Sequence, residues 1–200
     1  MFAIFNRFRK EPHTAALSAP REVLYHGVVR LGRMPGFYQA PYNVPDTLDG
    51  RFDLLTFLIG TLCLRLSQLN DGQELSQSLF DRLFGQVELN LREAGVGDLS
   101  VPKQMRRMIQ AFYGRVSHYA EILQASAPQP ELAVSFNRNI YNEQDETAAQ
   151  ALAQWVVMQW WPVLTSFDNI QQAPLLAAQL HSLSDALSDT KGLSDANRAA

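Results

Sequence analysis

The 200-residue chain is 46% hydrophobic and 18% charged, with a formal net charge of −3, which argues against wholesale disorder and against a general nucleic-acid binder, where a basic excess is the rule. A single cysteine, Cys63, excludes an intrachain disulfide framework and fits a reducing compartment. The apolar stretches Leu54 to Leu64 and Trp155 to Phe167 fall short of the about 20 residues a membrane-spanning helix needs, and the N-terminus lacks the apolar core of a secretory signal. A cytoplasmic protein is expected, at most peripheral on the inner face of the cytoplasmic membrane.

Charge is unevenly spread. Residues 1–33 hold six basic groups against Glu11 and Glu22, and residues 101–115 hold Lys103, Arg106, Arg107 and Arg115 with no acid. The remainder is acidic.

Residues 1–19 read as a separate flexible segment. Phe2, Phe5 and Phe8 fall three apart, so a helix would align them beside Arg7, Arg9 and Lys10. Three cations at an anionic leaflet are worth about 1 kcal/mol each, enough for transient contact and too little for anchoring unless the phenylalanines also bury. Pro20 sits where a helix is expected to start, and Val23, Leu24, Val28 and Leu31 carry helical spacing over 21–34. The stretch 34–45, with Pro35, Pro41 and Pro45, reads as an ordered loop. Its aromatics Phe37, Tyr38 and Tyr42 either cap the core or serve as contact residues.

Asp46 or Thr47 is expected to cap a long helix ending near Leu69, with Asn70-Asp71-Gly72 as the stop. Leu75, Leu79, Leu83, Phe84, Val87 and Leu91 form a helical stripe closed by Gly95 and Gly97. Ser100 is expected to cap the next helix, whose face Met105, Met108, Ile109, Phe112, Val116, Tyr119 and Leu123 keeps the 3.6-residue period. A shorter helix follows over 131–140, another from 145 to 161 before Pro162, and a weak one over 174–188 ahead of a loose end. No segment alternates with period two. The expectation is an all-α fold, a single domain of about six to seven helices without a coiled coil over 20–170, followed by a weak helix and tail over 171–200.

Catalytic patterns are missing. His13, His26, His118 and His181 are scattered, Cys63 has no partner, and no phosphate-binding loop, nucleophile elbow or HExxH occurs. A haem needs only one or two axial ligands, which keeps His26 and His118 open in a competing reading, a haem- or quinone-related carrier or enzyme with a pocket between helices. Asp49 and Asp53 lie four apart, but acids in the first turns of a helix are favoured by its dipole. Lys103, Arg106 and Arg107 share the side opposite the apolar stripe, a solvated face or a docking patch for an anionic surface.

Several blocks in fixed order resemble the ubiquinol–cytochrome c chaperone family in its bacterial form. They are FY at 37–38, VPDTLDGRFDLL at 44–55, LFDRLF at 79–84, LREAGVGDLSVPKQMRRMIQAFYGR at 91–115 and RNIY at 138–141. The resemblance spans residues 20–145. It implies an all-α protein without enzymatic activity that assembles respiratory complex III. Mitochondrial members act on newly made cytochrome b and contact the ribosome. The family pattern touches Asp46, Asp49, Arg51, Asp53, Gly95, Gly97, Asp98, Arg106, Arg107, Phe112, Tyr113, Gly114 and Arg115. Val101-Pro102 departs from it, standing where a small residue or glycine is expected.

The resulting protein-binding candidates are Phe37, Tyr38, Tyr42, Asp49, Arg51, Asp53, Lys103, Arg106, Arg107, Tyr113 and Arg115. The membrane-contact candidates are Phe2, Phe5, Phe8, Arg7, Arg9 and Lys10. The expected partner is cytochrome b or another complex III subunit, with transient membrane contact and ribosome contact beside it. No cofactor, metal or sequence-specific nucleic acid is implied. A third reading, a structural adaptor without client specificity, predicts many stable partners and no effect on complex III.

Overall fold

The most apolar stretch of the chain forms the helix that everything else surrounds. In a computed structural model, which describes the backbone over residues 15–196 and side chains over 18–188, helix α2 runs from Leu48 to Ser67 and is buried on every side from Thr56 to Cys63. A helix apolar all round is stable only with neighbours on all sides. Those neighbours are α1 (Ala15–Gly32), α3 (Gly72–Glu93), α4 (Val101–Leu123) and α7 (Trp161–Thr165). Helices α5 (Gln129–Asn139) and α6 (Glu146–Trp155) pack against each other, and α8 (Ala173–Ala196) lies along α1. No strand occurs among the described residues, and the all-α expectation holds.

Close approach explains one of these pairings. A Cβ on Gly60 of α2 would stand 2.4 Å from Cγ2 of Val116 on α4, so the missing side chain lets the two helices meet. Phe57 meets Tyr119 and Phe136 edge-on with centroids 4.9 and 4.8 Å apart, and those two rings lie tilted to each other at 5.9 Å, joining α2, α4 and α5.

The helix ends follow their sequence signals with four exceptions. Thr47 caps α2, its Oγ1 accepting from the Gly50 amide at 3.1 Å. After α3, Gly95 takes φ +80. Its amide bonds the Arg92 carbonyl and that of Val96 bonds the Leu91 carbonyl, both at 3.0 Å, the paired pattern of a Schellman stop. Ser100 precedes α4 but forms no side-chain cap, because its backbone is helical at φ −91 and ψ −28 rather than extended. Pro20 lies inside α1 rather than at its start, forgoing one backbone bond.

The rod that begins with α6 also does not stop before Pro162. Residues Val156–Trp160 widen into a π-helical turn, closed by the Trp161 amide on the Val156 carbonyl, and α7 continues to Thr165. Proline removes the N–H and crowds the preceding turn, and the wider turn accommodates both. Helix α8 runs beyond the expected 174–188. The candidates Phe2, Phe5, Arg7, Phe8, Arg9 and Lys10, together with the remainder of the N-terminal segment up to Thr14, lie outside the described residues.

Candidate functional site

Three sequence blocks far apart in the chain meet at one polar cleft. Pro45, Thr47, Asp49, Gly50 and Asp53 come from the start of α2, Arg115 from the middle of α4, and Arg138, Asn139, Ile140 and Asn142 from the end of α5. The cleft has a volume of about 550 Å³.

Its geometry begins with the loop ahead of α2. The Val44 amide donates to the Phe37 carbonyl at 2.8 Å, and the Tyr141 hydroxyl donates to the Tyr42 carbonyl at 2.6 Å, tying this loop to the end of α5. Pro45 then passes so close to α2 that a Cβ on Gly50 would lie 2.2 Å from the Pro45 carbonyl oxygen. Only glycine fits that approach.

Across the cleft, the Arg115 guanidinium donates to the Asp53 carboxylate, a pair formed over 62 residues of sequence. Both side chains are more than two-thirds buried, at 28% and 16% exposure. Burial raises the Asp53 pKa above its ordinary value, and the hydrogen bond and charge of Arg115 offset only part of that rise. Asn139 donates to the Tyr119 hydroxyl at 3.2 Å, while Arg138 is exposed at the mouth. Leu48, 83% exposed, immediately precedes Asp49 in the first turn of α2. The arrangement offers charges of both signs, amide donors and an apolar rim, suited to holding a polypeptide surface.

The expected contact residues divide into four groups. Asp49, Asp53 and Arg115 line the cleft. Arg51 lies 4.5 Å over the Tyr38 ring and pairs with Asp46, and the Tyr38 hydroxyl donates to the Gly32 carbonyl. Tyr42 is half-buried, 5.8 Å from Phe37.

Phe37 and Tyr113 belong to the interior instead. Phe37 has no exposure and meets Trp155 edge-on at 4.9 Å. Full burial of an apolar ring is worth about 1.5–3 kcal/mol, and it leaves Phe37 no surface for a partner. Tyr113 is half-buried and stacks on Phe80 at 5.2 Å. Lys103, Arg106 and Arg107 are exposed at the far end of α4. Lys103 is about 18 Å from Arg115 along the axis at the rise of an α-helix, so these cations form a separate surface.

Sequence reading passed over Gly50, Thr47, Arg138, Asn139 and Asn142 as site residues. The RNIY block signalled two of them, but without the fold it read only as a helix end. His26 is exposed beside Glu22 at 3.4 Å and His118 is half-buried. Among the described residues no group of three His, Cys, Asp or Glu side chains is placed to hold a metal ion.

The family model described as ubiquinol–cytochrome C chaperone matches residues 41–181. The chain belongs to the ubiquinol–cytochrome C chaperone family. The match extends beyond the motif blocks to take in α6, α7 and the start of α8. The chain is also similar to the crystal structure of the Cbp3 homolog from Brucella abortus, at 32% identity and a TM-score of 0.70, over 79% of this chain and 87% of that one. No curated protein matches. Family membership and this structural likeness make the chain an assembly chaperone for ubiquinol–cytochrome c reductase, respiratory complex III.

Proposed function

We propose that the chaperone holds newly made cytochrome b at the cleft between α2, α4 and α5, without catalysing a reaction. The observation that carries this reading is convergence: DTLDGRFDLL, AFYGR and RNIY, separated by up to 90 residues in sequence, supply nearly the whole lining. Fold stability alone requires no such polar meeting point. Buried apolar contacts already hold the helices together, and a partly buried ion pair such as Asp53–Arg115 is weak support for a fold.

A cytochrome b segment leaving the membrane has short polar loops flanked by apolar helix ends. Leu48 at the rim meets the apolar part, while Asp49 and Arg138 meet the loop charges. The Arg51–Tyr38 stack and the tyrosine bond from α5 to the loop hold the rim in place, so little ordering is left to occur on binding. Contact with the inner membrane face and with the ribosome belongs to the same reading, since a cytochrome b chain emerges where the two meet.

The test is a reduced-minus-oxidised difference spectrum of membranes from a strain lacking the chain. The cytochrome b signal is expected to fall, to return with the intact gene, and to stay low with a Leu48→Asp/Arg138→Glu variant. Both positions are exposed, so the variant is expected to fold. A normal cytochrome b signal in the deletion strain, or full rescue by the variant, refutes the assignment.

A further inference from the structure

The tip where α3 turns into α4 carries features that the fold does not use. Leu99 is 98% exposed, the most open of the large apolar side chains among the described residues. One turn further on, Lys103, Arg106 and Arg107 are all exposed, with no acid partner among the described residues. Lys103 stands in the first turn of α4, where a positive charge opposes the helix dipole and the unpaired N–H groups. Neither the leucine nor the cations therefore stabilise the fold.

The acids nearby are largely committed. Arg92 pairs with Glu88 at 2.8 Å and also with Asp98, one cation shared between two carboxylates. Glu93 is the remaining acid at the end of α3. Across residues 88–107 four cations face three acids, a positive excess that Lys103, Arg106 and Arg107 carry on the exposed start of α4.

We propose that this tip docks on an anionic lipid bilayer, with Leu99 entering the headgroup layer and Lys103, Arg106 and Arg107 resting on the lipid phosphates. Two signals are needed for useful attachment, charge and apolar insertion, and the tip places both within two helical turns. A nucleic acid would use the cations but leave Leu99 in water. Three cations give at most about a hundredfold enrichment at an anionic surface; the carboxylates of the tip lower it and the leucine adds to it. The tip is about 18 Å along α4 from Arg115, so a docked protein keeps its cleft open above the membrane. The inference does not depend on which client the cleft holds.

The experiment is flotation of the full chain with vesicles of phosphatidylcholine containing phosphatidylglycerol, beside vesicles of phosphatidylcholine alone. Binding is expected to the anionic vesicles only and to weaken as salt rises. A K103E/R106E/R107E variant is expected to lose about a hundredfold or more. Leu99→Asp, at a side chain outside the core, is expected to lose about tenfold and serves if the triple variant fails to fold. Equal binding to both vesicle types overturns the proposal. So does anionic binding unchanged in both variants, which would place it on the basic N-terminal segment. Tip-dependent binding to RNA without vesicle binding overturns it as well.

Discussion

The indole Nε1 of Trp160 donates to Thr61 Oγ1 at 2.9 Å, and both side chains are wholly buried. The same hydroxyl donates to the Phe57 carbonyl at 2.8 Å, so one oxygen satisfies the π-helical turn and the central helix together. Thr61→Val keeps the shape but strands a buried indole donor, at a cost of about 1–3 kcal/mol. Thr61→Ser keeps the bond and is expected to cost less. Urea denaturation compares the two, and equal losses would show that the methyl, not the bond, matters.

Arg65 gives a related prediction. Its guanidinium donates to the carbonyls of Leu164 at 3.2 Å and Phe167 at 2.7 Å, covering the acceptors that α7 leaves open at its end. Arg65→Met retains the stem and removes the fork. A loss of about 1–3 kcal/mol is expected, with faster amide exchange at Ser166 and Phe167. Arg65→Lys should recover only part, since a single ammonium cannot reproduce the planar fork. Unchanged exchange would refute the capping role.

Gly60→Ala tests the α2–α4 approach. A methyl 2.4 Å from Val116 Cγ2 forces the helices apart, and overpacking of this kind costs about 1–3 kcal/mol. Combined with Val116→Ala the strain should largely vanish, giving strong coupling in a double-mutant cycle. Simple additivity would mean that the helices accommodate the methyl elsewhere.

At Gly50 the same substitution acts on the cleft. Alanine is the better helix former, yet its Cβ would lie 2.2 Å from the Pro45 carbonyl oxygen, and backbone must move. Gly50→Ala is expected to displace the loop, weaken cytochrome b capture and lower the melting temperature. Normal capture would show that the rim is not needed in its present place.

Burial sets an alkaline limit. It pushes the Cys63 thiol up from 9.0 to about 12 and the Tyr113 hydroxyl up from 10.0 to about 12, and it raises Tyr119 and Tyr141 too. The folded chain thus holds protons that the unfolded chain releases at lower pH, so stability falls as pH rises. The loss should begin near pH 9 and continue to about pH 12. Denaturation midpoints across that range, with tyrosinate absorbance followed in parallel, check it. Stability unchanged across that range would contradict the burial of these groups.

Helix positions were largely legible because one face of each carries the 3.6-residue period, as on α4. The exceptions have local causes. Pro162 reads as a stop in any window, and only the π-helical turn before it lets the rod continue. Phe37 in a proline-rich loop gives no sign of its direction, which is decided by Trp155 more than a hundred residues later. The cleft was half legible. Asp49, Asp53 and Arg115 stood out by charge and by family resemblance, but that Asp53 meets Arg115, and that Arg138 joins them, depends on pairings no local pattern encodes.

Two bonds one helical turn apart, from Thr61 to Trp160 and from Arg65 to Phe167, reach across about half the chain to the same stretch of the central helix. Until residues near 168 have left the ribosome, Thr61 and Arg65 lack these partners, and the most apolar helix of the molecule stays partly uncovered. A chaperone built this way cannot become functional piecemeal during its own synthesis. The cell receives either an unfinished chain that itself needs shelter or a complete holder, and a truncation before Trp160 is expected to expose the centre rather than merely shorten the end.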